Sequence, residues 1–84
     1  MPFFVYILQS ERTGRFYVGQ TEHLEERLSY HQANYSKSLR NHGPWKLVYQ
    51  ESFASRSEAV RRERYIKQQK DRRFLEWLVG RASR

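Results

Sequence analysis

The chain has 84 residues, of which 38% are apolar, and its 16 Lys and Arg outnumber nine Asp and Glu to give a formal net charge of +7. This length predicts one domain spanning residues 1–84, near the size at which a single core is only marginally stabilising. The absence of cysteine excludes disulfides and thiolate metal sites, and no stretch approaches transmembrane length. Since Met1-Pro2-Phe3 leads directly into a strand-like run, we expect no secretory signal and a cytoplasmic location.

The excess of basic residues predicts a polyanionic partner. A strongly basic small domain has the electrostatic character of a protein that binds a phosphate backbone, so nucleic acid, either DNA or RNA, is the expected partner. A solvated basic surface without a ligand is the other interpretation. A membrane surface is disfavoured because the basic residues are spread over several predicted elements and do not form one amphipathic helix.

The first two predicted elements are strands that each contain a tyrosine. The unbroken apolar run from Phe3 to Leu8 indicates a strand covered on both faces, and therefore the central strand of a sheet. The run from Arg15 to Gly19 alternates, which places Phe16 and Val18 on one face and Tyr17 on the other.

A hairpin is expected to join these two strands. The segment Ser10 to Thr13 has turn composition, and Gly14 can adopt the positive φ that closes a short hairpin with a bulge. With Ser10 to Thr13 as the loop, Tyr6 and Tyr17 lie directly opposite each other on one face of the sheet. A slip of one residue would place them on different faces, because side chains alternate along a strand.

The next predicted element is a helix from Thr21, its N-cap, to about Ala33. Its apolar stripe is formed by Leu24 and Leu28, and at about 100° per residue Arg27 and His31 fall within about 60° of Leu24. Both polar side chains therefore lie on the inward side of the helix or at its border. The alternative for Arg27 is a stem that covers apolar surface while its guanidinium reaches solvent. For His31 it is a half-buried imidazole bonded to a backbone carbonyl.

A polar, basic loop from Asn34 to Pro44 precedes the third predicted strand, Trp45 to Tyr49. The loop is long enough to be functional, and Lys37 and Arg40 are its candidates for phosphate contact. A plain surface connection is the more common meaning of such a segment.

The segment Ser55 to Glu58 forms a capping box, which predicts a helix from Arg56 to about Gln69. Glu63 lies about 40° from Ala59, on the apolar side of this helix. A carboxylate that faces a core costs several kcal/mol unless it is protonated, paired or bound to a metal. The candidates are therefore a functional carboxylate and an internal salt bridge to Arg27.

A last helix is predicted to begin after Asp71, its cap, and to end at Gly80. Its apolar side combines aromatic and aliphatic residues that suit packing against a sheet. The order strand, strand, helix, strand, helix, helix predicts an α+β domain. The apolar residues of the last helix are Phe74, Leu75, Trp77 and Leu78.

Four short motifs, in this order and at this spacing, resemble the GIY-YIG endonuclease domain. The similarity extends from Phe3 to about Lys70 and is greatest to small standalone members related to the amino-terminal nuclease domain of the bacterial excinuclease incision subunit. It implies a three-stranded antiparallel sheet flanked by helices. The motifs are Val5-Tyr6-Ile7, Tyr17-Val18-Gly19, Arg27-x-x-x-His31, and Ser57-Glu58-Ala59 leading to Glu63 and Ile66-Lys67.

The resemblance implies a metal-dependent endonuclease that hydrolyses phosphodiester bonds in DNA. Glu63 would hold one divalent cation, Mg²⁺ or Mn²⁺, and Arg27 would clamp the scissile phosphate. A tyrosine, Tyr6 or Tyr17, would deprotonate the attacking water and pass the proton to His31. A phenol with a pKa of about 10 is only about 0.1% ionised at pH 7, so the base needs such help. The phosphate contacts would come from Lys37, Arg40 and Lys67.

The chain also departs from the family pattern. Val5 stands in place of the first glycine, Val18 in place of isoleucine, and Gln20 where excinuclease-type domains tend to have a lysine. The segment Lys37 to Arg40 keeps only the basic ends of a motif found in standalone members. A non-catalytic nucleic-acid-binding module is the alternative to an active nuclease. The chain is also compatible with a subunit of a DNA repair or restriction assembly whose protein partner supplies specificity, which an active nuclease does not exclude. Without a recognition helix or zinc module, little sequence specificity is expected.

Overall fold

The structure is a computed structural model that describes residues 2–32, 44–69 and 71–82. Its described elements follow the predicted order and form an α+β fold with one antiparallel sheet of three strands. None of the described helices is long and apolar enough to cross a membrane. The elements are β1 (Phe3–Ser10), β2 (Phe16–Thr21), α1 (Leu24–Gln32), β3 (Trp45–Phe53), α2 (Arg56–Gln69) and α3 (Arg72–Ala82).

The predicted central strand is confirmed. The strand order is β2-β1-β3, with β1 antiparallel to both neighbours, so that β2 lies at an edge of the sheet. The unbroken apolar run of β1 follows from this position, because both of its faces are covered. Opposite β1, strand β3 contains a bulge at Val48, since Ile7 pairs with Tyr49 and the next residue, Leu8, pairs with Leu47.

The hairpin register differs by two residues from the prediction. Tyr6 lies opposite Gly19, and Tyr17 lies opposite Leu8, so the two tyrosines are diagonal and not directly opposite. The cause is the loop: Ser10 still belongs to β1, and its backbone N–H donates to the carbonyl of Arg15 at 2.8 Å. A shift of two residues keeps both tyrosines on one face, because side chains alternate with a period of two.

The loop chemistry explains why Ser10 ends the strand. Its hydroxyl accepts hydrogen bonds from the backbone N–H groups of Arg12 and Thr13 at 3.2 and 3.0 Å. Gly14 has φ of 79°, as predicted, and its N–H donates to the carbonyl of Ser10 at 2.9 Å. The four-residue loop therefore runs from Glu11 to Gly14.

Two apolar clusters lie on opposite faces of the sheet. On one face, α1 covers Tyr6 and Leu8 with two half-buried leucines. On the other face, α2 and α3 pack against Val5 and Ile7. The first cluster is Tyr6, Leu8 and Trp45 with Tyr17, Leu24, Leu28 and Leu47, and the second is centred on Val5, Ile7, Val18, Tyr49, Ala59, Ile66 and Leu78.

The helix ends agree with the sequence in part. The Ser55 hydroxyl accepts from the N–H of Glu58 at 3.3 Å, as the capping box predicts. Thr21 was wrongly predicted as the N-cap of α1, because it is the last residue of β2 and its hydroxyl accepts from the N–H of His23 at 3.0 Å. Gly80 does not end α3, which continues to Ala82.

Candidate active site

The candidate site lies along the free edge of β2, where side chains from both faces of the sheet meet. Tyr6, on β1, is only 2% exposed and lies within the α1-side cluster. Its ring centroid is 6.4 Å from that of Tyr17, with an angle of 37° between the ring planes. The structure therefore brings the two motif tyrosines together on one face.

Gly19 makes room for the Tyr6 phenol. A Cβ atom placed on Gly19 would lie 2.5 Å from the Tyr6 hydroxyl oxygen and 2.7 Å from Cζ. Real carbon atoms do not approach that closely, so the absence of a side chain at Gly19 allows the ring to lie across β2. Aromatic residues opposite edge-strand glycines stabilise sheets in this way.

Tyr17 connects the tyrosine pair to α2. It is half-buried and lines a groove of about 300 Å³ with Lys67 and Ile66 of α2. Because Tyr17 belongs to β2 and Lys67 is exposed on the neighbouring helix, this groove opens at the sheet edge. The remaining lining residues are Phe16, Val18 and Leu75.

Glu63 is the acidic member of the site. Its side chain is 19% exposed, and its carboxylate forms an ion pair with Lys67 one turn later on α2, at 3.7 Å. The sequence left open a salt bridge between Glu63 and Arg27. Within residues 2–32, 44–69 and 71–82, these two side chains form no ion pair. The predicted inward tilt of Glu63 is present, but the pairing charge comes from its own helix.

Arg27 is more exposed than the helical wheel predicts. It lines a pocket of about 390 Å³ with Thr21, His23 and Glu26, on the α1 side of β2. The leucines of α1 face Tyr6 and Leu8, which turns Arg27 toward the border of the helix. A guanidinium held at this border is open to an anionic ligand.

Three predicted residues lie outside what the structure describes. His31 belongs to α1, but its side chain is not described. Lys37 and Arg40 both fall in 33–43, beyond the described residues. Their roles stay predictions.

The sequence of this chain matches the GIY-YIG catalytic domain over residues 2–75. The chain belongs to the GIY-YIG family. A UPF0213 protein of Staphylococcus haemolyticus is 43% identical over 68 residues, covering 76% of this chain and 78% of that protein. A UPF0213 protein of Oceanobacillus iheyensis is 39% identical over 66 residues, covering 77% and 76%.

A solved UPF0213 protein has a similar overall fold. The solution NMR structure of a UPF0213 protein from Bacillus halodurans has a TM-score of 0.61 and 36% sequence identity to this chain. The similarity covers 95% of this chain and 84% of that one. These coverages confirm the predicted similarity to small standalone GIY-YIG proteins.

Within this GIY-YIG domain, Tyr6 has an unusual protonation equilibrium. Burial is the largest cause that raises its pKa, and the nearby Tyr17 and Glu63 raise it further, while the positive charge of Arg27 acts in the opposite direction. Groups on α1, β2 and α2 thus all act on one buried hydroxyl. Tyr6 remains a neutral phenol at physiological pH and can donate a hydrogen bond.

The raised pKa of Tyr6 predicts a loss of stability in alkali. Above pH 10, the ordinary pKa of tyrosine, an unfolded chain releases the phenol proton while the folded chain retains it. The contribution of Tyr6 to the free energy of unfolding is therefore complete below pH 10 and falls as pH rises, by up to about 1.4 kcal/mol per pH unit. We expect denaturant titrations to show this fall.

Tyr6→Phe is the matched control for the alkaline prediction, because it keeps the ring and removes the ionisable group. The difference in unfolding free energy between the parent chain and this variant should shrink with pH above 10. Tyr49, whose pKa is also raised by burial, is present in both chains and cancels. A difference that stays constant over this range would contradict the assignment.

Gly19→Ala should destabilise the domain and displace the Tyr6 ring. Overpacking of this kind costs about 1–3 kcal/mol in the free energy of unfolding. The control is Gly80→Ala in α3, where an added Cβ meets nothing within 4 Å and should stabilise the helix by about 0.5–1 kcal/mol. A Gly19→Ala cost that is unchanged in a Tyr6→Leu background would show that contact with the phenol is not its cause.

A half-buried polar network between β3 and α2 was missed in the sequence. Tyr49 donates a hydrogen bond to Glu51, and Glu51 forms an ion pair with Arg62 at 3.4 Å. This network joins β3 to the residue that precedes Glu63, so it helps fix the position of α2. The available signal was Arg62, which lies about 60° from Ala59 on the border of the apolar face.

Proposed function

We propose that this GIY-YIG domain is a metal-dependent endonuclease that hydrolyses phosphodiester bonds in DNA with little sequence specificity. The observation that carries the proposal is the convergence on Tyr6 of charges from Arg27 and Glu63, on two helices, next to Tyr17. A guanidinium can stabilise the charge on a phosphate, a carboxylate can hold a metal ion, and a positioned phenol can transfer a proton, which are roles that phosphodiester hydrolysis uses.

The residues present fit one divalent cation. Within the described parts of the chain there is no group of three or more His, Cys, Asp or Glu, so a site built only from protein carboxylates or imidazoles is not supported there. Mg²⁺ commonly binds through one or two protein oxygens together with water and substrate phosphate. Glu63 supplies such an oxygen.

Gln20 offers a second oxygen. It lies opposite Val5, on the face of the sheet that α2 covers, and its buried side-chain oxygen has no hydrogen-bond partner among the described residues. We therefore infer that Glu63, with Gln20 in support, would hold Mg²⁺ or Mn²⁺. A bound cation would supply neutralisation of the charge that develops on the phosphate and the leaving oxygen.

The two tyrosines receive different roles. Tyr17 lines an open groove and is the tyrosine that solvent reaches. We therefore propose that Tyr17 is the base that removes the proton from the attacking water. Tyr6 is buried and neutral, and its hydroxyl is suited to donate a hydrogen bond that positions the water or a phosphate oxygen. Arg27 would clamp the scissile phosphate, and His31 would accept the proton from the base.

Incubation of the purified chain with DNA and RNA tests the proposed function. The substrates are duplex, branched and single-stranded forms, with Mg²⁺ or Mn²⁺ and with EDTA as the control. We expect metal-dependent nicking of DNA, and Arg27→Ala should abolish it without weakening the fold, since Arg27 is exposed. Cleavage that persists unchanged in Arg27→Ala, in Glu63→Gln and in both Tyr6→Phe and Tyr17→Phe would identify a contaminating nuclease.

The departures from the family motifs point to a second candidate function. The motif departures at Val5, Val18 and Gln20 are compatible with a non-catalytic nucleic-acid-binding module or a subunit of a cytoplasmic repair or restriction assembly. Binding without cleavage under all the metal conditions would support that alternative.

A further inference from the structure

The outward face of α2 has a groove that the proposed active site does not use. Its volume is about 800 Å³. Among its arginines, Arg61 and Arg64 are exposed, and neither forms an ion pair with any residue in 2–32, 44–69 or 71–82. We call this feature the α2 groove, and its lining consists of Arg56, Ser57, Val60, Arg61, Arg64, Tyr65 and Gln68.

The remaining basic residues of α2 have acidic partners. Arg56 pairs with Glu22 at 3.4 Å, Arg62 with Glu51 at 3.4 Å and Lys67 with Glu63 at 3.7 Å. This contrast separates Arg61 and Arg64 from a generally basic helix surface, because no acidic residue in the described part of the chain pairs with them.

The spacing of the unpaired arginines is unfavourable in the absence of an anion. Arg61, Arg64 and Lys67 follow one another at intervals of three residues, about 4.5 Å along the helix axis. Like charges at this spacing are neighbours on the helix surface and repel each other. Glu58 lies three residues before Arg61 but forms no ion pair with it within the described chain. An anion bound in the α2 groove would relieve the repulsion.

Helical spacing places the α2 groove next to the candidate active site. Lys67 lines the separate groove beside Tyr17 and pairs with Glu63. Arg64 lies three residues before Lys67, about 60° around the helix, and Arg61 lies beyond it on the same outward face. A chain of phosphates leaving the active site past Lys67 would therefore meet Arg64 and then Arg61.

We propose that the α2 groove binds the nucleic acid backbone beyond the scissile phosphate, with Arg61 and Arg64 each contacting a phosphate. The identity of the ligand rests on the proposed nuclease function. Guanidinium groups bind phosphate oxygens through paired N–H donors. Tyr65, which is 48% exposed in the same groove, offers an aromatic surface on which a sugar or base can pack.

The α2 groove is tested by the salt dependence of DNA binding in an Arg61→Gln/Arg64→Gln variant. The probe is a short fluorescein-labelled DNA duplex, titrated in EDTA at several KCl concentrations. Each lost phosphate contact lowers the log-log slope by about 0.9, so we expect a decrease of about two. The matched control is Arg73→Gln/Arg81→Gln, which removes the same charge from exposed positions on α3 outside the α2 groove. An equal decrease in both variants, or no decrease in the first, would overturn the proposal.

Two further measurements separate this proposal from the function on which it rests. Hydrolysis of bis(p-nitrophenyl) phosphate, a diester too small to reach from the active site to Arg61, should be the same in the Arg61→Gln/Arg64→Gln variant and the parent chain. If the parent cleaves nothing but the slope still falls, the α2 groove stands and the nuclease proposal fails. If labelled poly-glutamate loses binding to the variant while DNA does not, the α2 groove is a site for acidic protein and our proposal is wrong.

Discussion

Glu63→Gln should abolish DNA cleavage while leaving the fold and DNA binding intact. The carboxylate is the acidic group of the described site, is half-buried near Tyr6, and among the described residues pairs only with Lys67 of its own helix. Glutamine has nearly the same shape but lacks the charge that holds a divalent cation. Loss of metal stabilisation is worth several kcal/mol in the transition state, so the rate should fall on the order of 10³-fold. Single-turnover cleavage at saturating enzyme measures this fall.

The control for Glu63→Gln is Glu76→Gln on α3, another acid that pairs with a basic residue four positions away on the same helix. Glu76 is bonded to Arg72 at 2.9 Å and lies outside the site. Its substitution should leave cleavage unchanged. Isothermal titration with Mn²⁺ should give weaker binding to Glu63→Gln than to the parent chain. A variant that unfolds with unaltered metal affinity would instead assign Glu63 a structural role through its pair with Lys67.

The fold was predictable because its signals are local. The apolar run of β1, the alternation of β2 and the Ser55 capping box each identify an element without knowledge of its neighbours. The hairpin register, in contrast, could not be predicted from local signals. It depended on whether Ser10 ended the strand or began the loop, and the hydrogen bonds of its hydroxyl to the turn decided this. The end of α3 was missed because glycine weakens a helix without necessarily ending it.

The site could be predicted only at the level of the residues involved. Helical spacing placed Glu63 on the inward side of α2, and the structure agrees. The same reasoning placed Arg27 on the inward side of α1 or at its border, and the structure shows it exposed, because a helical wheel gives the angle around the helix but not the exposure of the side chain. The partner of Glu63, Lys67, lies four residues later on the same helix, a spacing that favours ion pairing and is visible in the sequence. The contact between Gly19 and Tyr6 depends on how the strands pair, and no spacing within one element reveals it.

Phenylalanine substitutions should distinguish the two tyrosines of the site. Tyr17→Phe removes the hydroxyl assigned to the water and should lower kcat on the order of 10²-fold or more, with little change in DNA affinity. Tyr6→Phe removes a buried hydrogen-bond donor and should also lower kcat, on the order of 10²-fold. The two variants are therefore compared by pH profile as well as by rate. Tyr65→Phe is the control, because that ring is exposed on the outer side of α2.

The pH dependence of kcat/KM decides which of the two tyrosines is the base. Where a base must lose its proton before it acts, log kcat/KM rises with pH with a slope of about one. We expect this rise in the parent chain and in Tyr6→Phe, since Tyr6 is held neutral by burial. In Tyr17→Phe the remaining rate should be nearly independent of pH. If the rise persists in Tyr17→Phe and disappears in Tyr6→Phe, the roles are reversed. Such a reversal would mean that the bound substrate and cation lower the pKa of the buried phenol enough to overcome its desolvation.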